Sequence, residues 1–169
     1  AVVGWPYMQL MPAYAGDILG LGGSGFGYLM TAGGVGAIFG GIAVMAMGKS
    51  QRKGALLTAS IVATALGLIG LGAYPSLSFV IILITALGAT TAGQMALNNA
   101  LVQAMVDDRY RGRATAVYFQ VWGLMPIGGL AAGAFAEAAG LRATMILLGV
   151  LLAFLALWIW ATFPGLKKV

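Results

Sequence analysis

The chain has no cysteine and no histidine, and only four of its residues are acidic. Without these two residue types it has no disulfide, no thiolate nucleophile, none of the usual zinc ligands and no histidine base. The sequence therefore predicts no catalytic residues, no metal site and no cofactor. A membrane-embedded enzyme would have to rely on the acids, all of which lie between apolar runs: Asp17, Asp107, Asp108 and Glu137.

Charge of either sign is scarce along the chain. Charged residues make up 8% of it and hydrophobic residues 61%, whereas an ordinary soluble domain carries about 25% charged residues. A soluble fold of this length could not bury so much apolar surface, so the composition indicates an integral membrane protein. The net charge of +5 does not indicate nucleic-acid binding, because no basic stripe is interleaved with aromatic residues.

The few basic residues are unevenly distributed, and nearly all of them occupy alternate gaps between the apolar runs. This alternation is the positive-inside pattern of a protein that crosses the membrane several times. We therefore expect the basic loops and the C-terminus to face the cytoplasm beside anionic membrane lipid, in a bacterial inner (plasma) membrane. The residues that follow the pattern are Lys49, Arg52, Lys53, Arg109, Arg111, Arg113, Lys167 and Lys168.

The lengths of the apolar runs predict a bundle of transmembrane helices forming a single domain over residues 1–169. The turn signal Tyr74-Pro75-Ser76 divides the longest run into two helices. The first run is shorter than the roughly 20 residues that a crossing helix needs. We therefore expect it to be the outer part of a helix whose beginning is missing, and we expect the chain to be a fragment. The predicted spans are 1–15 (partial), 24–47, 54–73, 77–104, 114–136 and 143–163.

Glycine is concentrated in the second and fifth predicted spans. Gly36 and Gly40 form a GxxxG pair, a spacing that lets two helix backbones approach closely in lipid. Gly129 and Gly133 are the packing candidates of the fifth span, which also contains Pro126 and is expected to kink there.

The fourth predicted span carries the densest set of polar side chains. Thr91, Gln94 and Asn98 share one helical face, and Asn99 and Gln103 lie about 100° round from it. Uncharged amides in a bilayer need partners, which are either a substrate and water in a pathway or a neighbouring helix. We take Thr91, Gln94 and Asn98 as candidates for lining a substrate pathway.

Further candidates for the pathway occur in the first and fifth spans. The first span contains Pro6 and Pro12, and a helix interrupted by prolines often lines a cavity. The alternative for its tyrosines is that they anchor the helix at the membrane interface, as Trp5 would. The candidates are Tyr7, Gln9, Tyr14, Tyr118 and Gln120.

The second basic loop combines acids with arginines. Its simplest role is to set the topology. The other role is a gating loop, in which ion pairs hold one conformation of a two-state transporter. Its charged residues are Asp107, Asp108, Arg109, Arg111 and Arg113.

The stretch from Asp108 to Arg113 resembles the loop after the tenth helix of a major facilitator superfamily transporter, above all in the drug- and siderophore-exporter branch that includes enterobactin exporters. The Asn-rich stretch Ala96–Ala100 and the Pro-Gly stretch Met125–Gly129 are similar to the tenth and eleventh helices, and Leu10–Ala15 to the seventh. The resemblance covers nearly the whole chain. It implies an all-α fold, the C-terminal six-helix half (helices 7–12) of a major facilitator fold with its first helix truncated.

The resemblance implies a secondary active transporter that exports small amphipathic molecules by alternating access, with the N-terminal half of the same transporter as partner. The chain departs from the family at Asp107, where a proline is usual, and in the acid-free loop Gly48–Gly54, where a gating ion pair is therefore not expected. No proton-binding carboxylate is visible, so any coupling would reside in the other half. The alternative that stays open is a non-transporting or half-size membrane module acting as an assembly partner.

Overall fold

The computed structural model of the chain describes residues 2–47, 53–106 and 109–162. The described residues form helices joined by short turns, without any strand, which confirms the predicted all-α fold. In chain order the helices are α1 (Tyr7–Ala13, continued by a π-helical turn over Tyr14–Ile18), α2 (Gly23–Ala46), α3 (Lys53–Ala73), α4 (Leu77–Met105), α5 (Arg111–Gln120, followed by a 3₁₀ turn over Val121–Leu124), α6 (Met125–Ala139) and α7 (Leu141–Thr162).

Five helical segments are long and apolar enough to cross a membrane. Each contains at least 18 residues, close to the roughly 20 that the hydrocarbon core requires. The segments are Gly23–Ala46, Lys53–Ala73, Leu77–Val102, Thr115–Ala139 and Leu141–Thr162. Of the basic residues that define the alternating gaps, Lys49, Arg52, Lys167 and Lys168 lie outside the described part of the chain.

Two short turns connect successive helices on the side opposite the basic loops. Between α3 and α4, Ser76 has an extended backbone, and its carbonyl accepts the first helical hydrogen bond from the Val80 N–H at 2.8 Å. Between α6 and α7 the turn is Gly140, whose φ of 88° lies in the region where glycine has no steric penalty. Both connections are therefore short enough to join neighbouring antiparallel helices of a bundle.

The fifth span is interrupted just before its proline. Residues Val121–Leu124 form a 3₁₀ turn, and the Met125 N–H donates to the Trp122 carbonyl. Pro126 has no N–H with which to continue an α-helical ladder, but it is tolerated in the first turn of α6. The predicted span 114–136 thus consists of α5 and α6, which a 3₁₀ segment joins into one helical stretch. The first span also differs from its predicted end, since the π-helical turn carries it to Ile18.

Helices α2 and α4 pack backbone against backbone. A Cβ atom added at Gly36 would collide with the Thr85 carbonyl, and one added at Gly40 would collide with the Ala89 carbonyl. From the other side, Gly88 of α4 lies against the Gly33 carbonyl. In lipid, where no hydrophobic force drives helices together, such close approach supplies van der Waals contact that larger side chains would prevent.

The end of α3 is held by side chains from two other helices. The Tyr14 hydroxyl donates to the Leu71 carbonyl at 2.6 Å, and the Arg142 guanidinium donates to the Gly72 and Ala73 carbonyls at 2.8 and 2.9 Å. These are the carbonyls that a helix C-terminus leaves without intrahelical partners, and a cation there also complements the helix dipole. Arg142 therefore caps α3.

We expect Gly36→Ala in the full-length protein to weaken the contact between α2 and α4, because the new methyl group would displace the Thr85 carbonyl. The matched control is Gly41→Ala, since an added Cβ at Gly41 meets no atom within 4 Å. Thermal unfolding of the purified protein in detergent should show a lower midpoint for Gly36→Ala and an unchanged or slightly higher one for Gly41→Ala. Equal midpoints would contradict the packing role.

We expect Arg142→Met to lower the free energy of unfolding by about 1–3 kcal/mol, because it leaves the α3 carbonyls without charged donors. Glu137→Gln is the control, because it also removes an exposed charge near the α6–α7 turn. The measurement is again thermal unfolding in detergent. If the unfolding midpoints of both variants equal that of the unmodified protein, the capping of α3 contributes nothing to stability.

Candidate functional site

A cavity of about 240 Å³ opens between the segment preceding α1, the helices α3, α4 and α7, and the junction of α5 with α6. We call it the polar cavity. Its hydrogen-bonding side chains are Thr64, Thr91, Gln94 and Asn98, its aromatic ones Trp5 and Trp122, and its apolar ones Ile61, Met95, Met125 and Leu152. None of these side chains is ionisable, so the described wall of the cavity offers hydrogen bonds and aromatic surface but no charge.

The structure brings the three pathway candidates of α4 together on one wall of the polar cavity. Thr91, Gln94 and Asn98 all line it, as their shared helical face would place them. Their neighbour Asn99 lies elsewhere: it is exposed, and its amide donates back to the Met95 carbonyl of the same helix at 3.0 Å. Gln103 lies further along α4, and its side chain is outside the described part of the structure.

Gln94 connects α4 with α3 through a chain of hydrogen bonds. Its Nε2 atom donates to the Ser60 carbonyl at 3.1 Å and to Thr64 Oγ1 at 2.7 Å. Thr64 Oγ1 is 2.9 Å from Thr90 Oγ1, which donates to the Leu87 carbonyl at 3.0 Å. The single hydroxyl hydrogen of Thr64 can be donated either to Thr90 Oγ1 or to the Ser60 carbonyl, which is 3.0 Å away. Gln94 Nε2 has two hydrogens and two acceptors on α3, so both hydrogens are used between helices.

Asn98 differs from Gln94 because its side chain is not used in this way. It lines the polar cavity, and among the described residues it has no hydrogen-bond partner. A primary amide offers two donors and an acceptor with two lone pairs. Asn98 is therefore the side chain of the cavity best able to bind a polar group of a molecule that enters it.

Two tryptophans complete the wall opposite α4. The Trp5 and Trp122 rings meet edge to face, with centroids 5.0 Å apart and planes inclined at 61°, an arrangement that aromatic rings favour. Trp122 lies in the 3₁₀ turn between α5 and α6. The sequence suggested Trp5 as an interfacial anchor, whereas the structure places it on the wall of the cavity.

Tyr7 lies beside the polar cavity rather than in it. It is buried, with 4% of its surface exposed, and its side chain lies close to that of Thr91. Thr91 in turn donates to the Leu87 carbonyl at 2.6 Å. The Tyr7–Thr91 contact thus joins α1 to the polar face of α4, and it borders a second cavity.

Of the remaining candidates of the first and fifth spans, Gln9, Tyr14 and Gln120 line neither the polar cavity nor the second one. Gln9 lies against Gly129, where an added Cβ would collide with its side-chain oxygen. Tyr14 is fully buried and bonded to the end of α3. Gln120 is exposed, and the side chain of Tyr118 is outside the described part of the structure. No atom lies within 4 Å of a Cβ built on Gly133.

The gating loop is only partly described. Asp107 and Asp108 lie outside the described residues, as does the side chain of Arg111. Arg109 and Arg113 are exposed, and the guanidinium of Arg109 lies 5.9 Å from the centre of the Tyr110 ring. The ion pairs expected of this loop stay a prediction.

Sequence reasoning missed two groups on α3 that shape the site, the Thr64 hydroxyl and the Ser60 backbone carbonyl. Thr64 is an isolated hydroxyl residue in a span without charge, where it attracts little notice. The Ser60 carbonyl carries no signal in the sequence, because every residue has one. Which neighbouring helix these groups would meet depends on the tertiary fold.

We expect Gln94→Leu in the full-length protein to lower stability, because it removes both donors from Ser60 and Thr64. Interhelical hydrogen bonds in membranes contribute roughly 0.6 kcal/mol each on average, so the expected loss is about 1 kcal/mol. Asn98→Leu, which breaks no bond to a described residue, is the control. In detergent, the midpoint of thermal unfolding should be lower for Gln94→Leu than for Asn98→Leu. A lowered midpoint for Asn98→Leu alone would refute the assignment of Gln94 to helix packing.

The family model described as Major Facilitator Superfamily matches residues 2–169 of the chain. No curated protein and no solved structure matches it. The match extends over every helix described above, including those that form the polar cavity.

Proposed function

Because this chain belongs to the major facilitator superfamily, whose members are transporters and not enzymes, we propose that it forms part of a secondary transporter that exports small amphipathic molecules. The observation that carries the proposal is the uncharged polar cavity, in which the amide of Asn98 has no partner among the described residues. The resemblance of the stretch from Asp108 to Arg113 to drug and siderophore exporters supports export as the direction.

The chemistry of the cavity wall supports neutral or weakly polar substrates. Asn98, Gln94 and Thr91 supply hydrogen-bonding groups, while Trp5 and Trp122 supply flat apolar surface. Aromatic surface beside a few convergent polar groups is typical of small-molecule sites. A strongly anionic or cationic substrate would find no opposite charge among the described residues of the wall.

Alternating access is supported by the way in which the helices are joined. Transporters of this kind work by rocking one helix bundle against another around a central site, which requires each bundle to move as a unit. The glycine contacts hold α2 on α4, Gln94 ties α4 to α3, and Arg142 ties α7 to α3. We propose that these helices move as one body against the N-terminal half of the same transporter.

The proposed orientation follows from the distribution of charge. The positive-inside pattern favours a cytoplasmic position for the basic loops, including Arg109 and Arg113, in a bacterial inner membrane with lipid around the bundle. No acidic side chain lines either cavity in the described part of the chain, so the proposal leaves the coupling ion to the other half. The proposed partners are therefore a small-molecule substrate, membrane lipid and that N-terminal half.

Transport by the full-length protein should depend on Asn98 and not on Asn99. We expect Asn98→Leu to lower the rate of substrate efflux from cells, at sub-saturating concentration, by about three- to tenfold, the factor that a single hydrogen bond provides. Asn99→Leu is a closely matched control, because Asn99 is the next residue of the same helix and is bonded to its own backbone.

The assay compares efflux of a panel of neutral and cationic amphipathic dyes at matched expression in the membrane. Equal loss at both positions would show a general effect of leucine in α4, and unchanged efflux at both would remove the polar cavity from the pathway. Saturation kinetics add a second criterion, since a substrate contact made by Asn98 should raise KM.

A further inference from the structure

A second cavity of about 300 Å³ lies beside the polar cavity, between α1, α2 and α4. Three methionines line it, Met8, Met30 and Met95, and we call it the methionine chamber. It adjoins the polar cavity, because Trp5, Thr91 and Met95 line both. A molecule that contacts Asn98 could therefore extend past Thr91 into the chamber.

The chamber exists because one face of α2 carries very small side chains. Gly34 and Ala37 line it, and a Cβ added at Gly34 would meet no atom within 4 Å. This glycine differs from Gly36, two residues further on, where an added Cβ would collide with the backbone of α4. Gly36 brings the helices together, whereas Gly34 leaves space.

The wall of the chamber is apolar and adaptable. Methionine side chains are unbranched and flexible, and they fit apolar groups of varied shape. Of the polar residues at its edge, Tyr7 lies close to Thr91, and the Thr91 hydroxyl already donates to the Leu87 carbonyl at 2.6 Å. Ordered water needs polar partners, so an apolar group is the better occupant.

We propose that the methionine chamber binds the apolar part of the transported molecule while its hydrogen-bonding part lies against Asn98 in the polar cavity. The inference rests on the proposed transport function, and it narrows the substrate class to neutral molecules with an amide-like polar group and an attached alkyl or aryl group. The two cavities together reach the roughly 300–1,000 Å³ of a drug-sized site. The position of the chamber directly beside the polar cavity, with three lining residues in common, favours the substrate over a lipid chain or another helix.

The test narrows the chamber without disturbing the packing of α2. Gly34→Phe fills the space at Gly34, and Gly34→Val does so partly. The control is Gly41→Phe, because Gly41 lies on the same helix, has no atom within 4 Å of an added Cβ and lines neither cavity. The probes are neutral N-alkylbenzamides from ethyl to hexyl, with binding to the purified full-length protein followed by tryptophan fluorescence.

In the unmodified protein and in Gly41→Phe, affinity should rise with chain length, because each buried CH₂ group contributes roughly a fourfold factor. Gly34→Phe should weaken the hexyl probe by about tenfold or more and the ethyl probe less than about twofold, with Gly34→Val in between. Asn98→Leu should weaken all probes by a similar factor. A folded Gly34→Val protein keeps the test informative if Gly34→Phe aggregates.

Several results would overturn the proposal. Unchanged probe affinities in both Gly34 variants would show that no probe enters the methionine chamber. If the Gly34 variants instead weaken probes of every chain length equally, the occupant of the chamber is a neighbouring helix. Loss of bound lipid with unchanged probe preference would assign it to a lipid chain. Failure of every probe to bind the unmodified protein would refute the substrate class. If only the Asn98→Leu effect is missing, the error lies in the polar cavity of the proposed function.

Discussion

The backbone contact between α2 and α4 is the constraint on which the rest of the described structure depends. A bilayer is as apolar as the helices within it, so packing must come from close approach rather than from exclusion of water. Gly36 and Gly40 allow that approach at the Thr85 and Ala89 carbonyls. The contact fixes how α4 is rotated, and the rotation of α4 decides that Thr91, Gln94 and Asn98 face the polar cavity.

A division of labour among uncharged side chains follows from this arrangement. Gln94 donates both of its amide hydrogens to groups of α3 and so helps to set the distance between α3 and α4. Asn98, one turn further along the same face, keeps its amide for the cavity. The two amides look alike in the sequence, yet one is part of the scaffold and the other is available to a ligand. Scaffold and pathway thus alternate along a single helix.

The sequence was sufficient for the class of fold, because run length and charge distribution report directly on membrane crossing. It also placed three candidates on one face of α4, because helical periodicity relates residues within a helix. Periodicity does not say which neighbour that face meets. The bond from Gln94 to Ser60 spans 34 positions and that from Arg142 to Gly72 spans 70, and only the tertiary fold brings them together. For the same reason, composition could not distinguish Gly36, which packs, from Gly34, which leaves space.

The fixed rotation of α4 has a consequence for how this family of chains can change over time. Gly88 is pinned against the Gly33 carbonyl, and ten positions later Asn98 reaches the cavity. One residue inserted between them would turn everything beyond it by about 100°, so that the asparagine facing the cavity would face elsewhere. Substitutions between Gly88 and Asn98 change the surface of α4 that faces the cavity one side chain at a time. An insertion or deletion there would replace all of the residues beyond it that face the cavity.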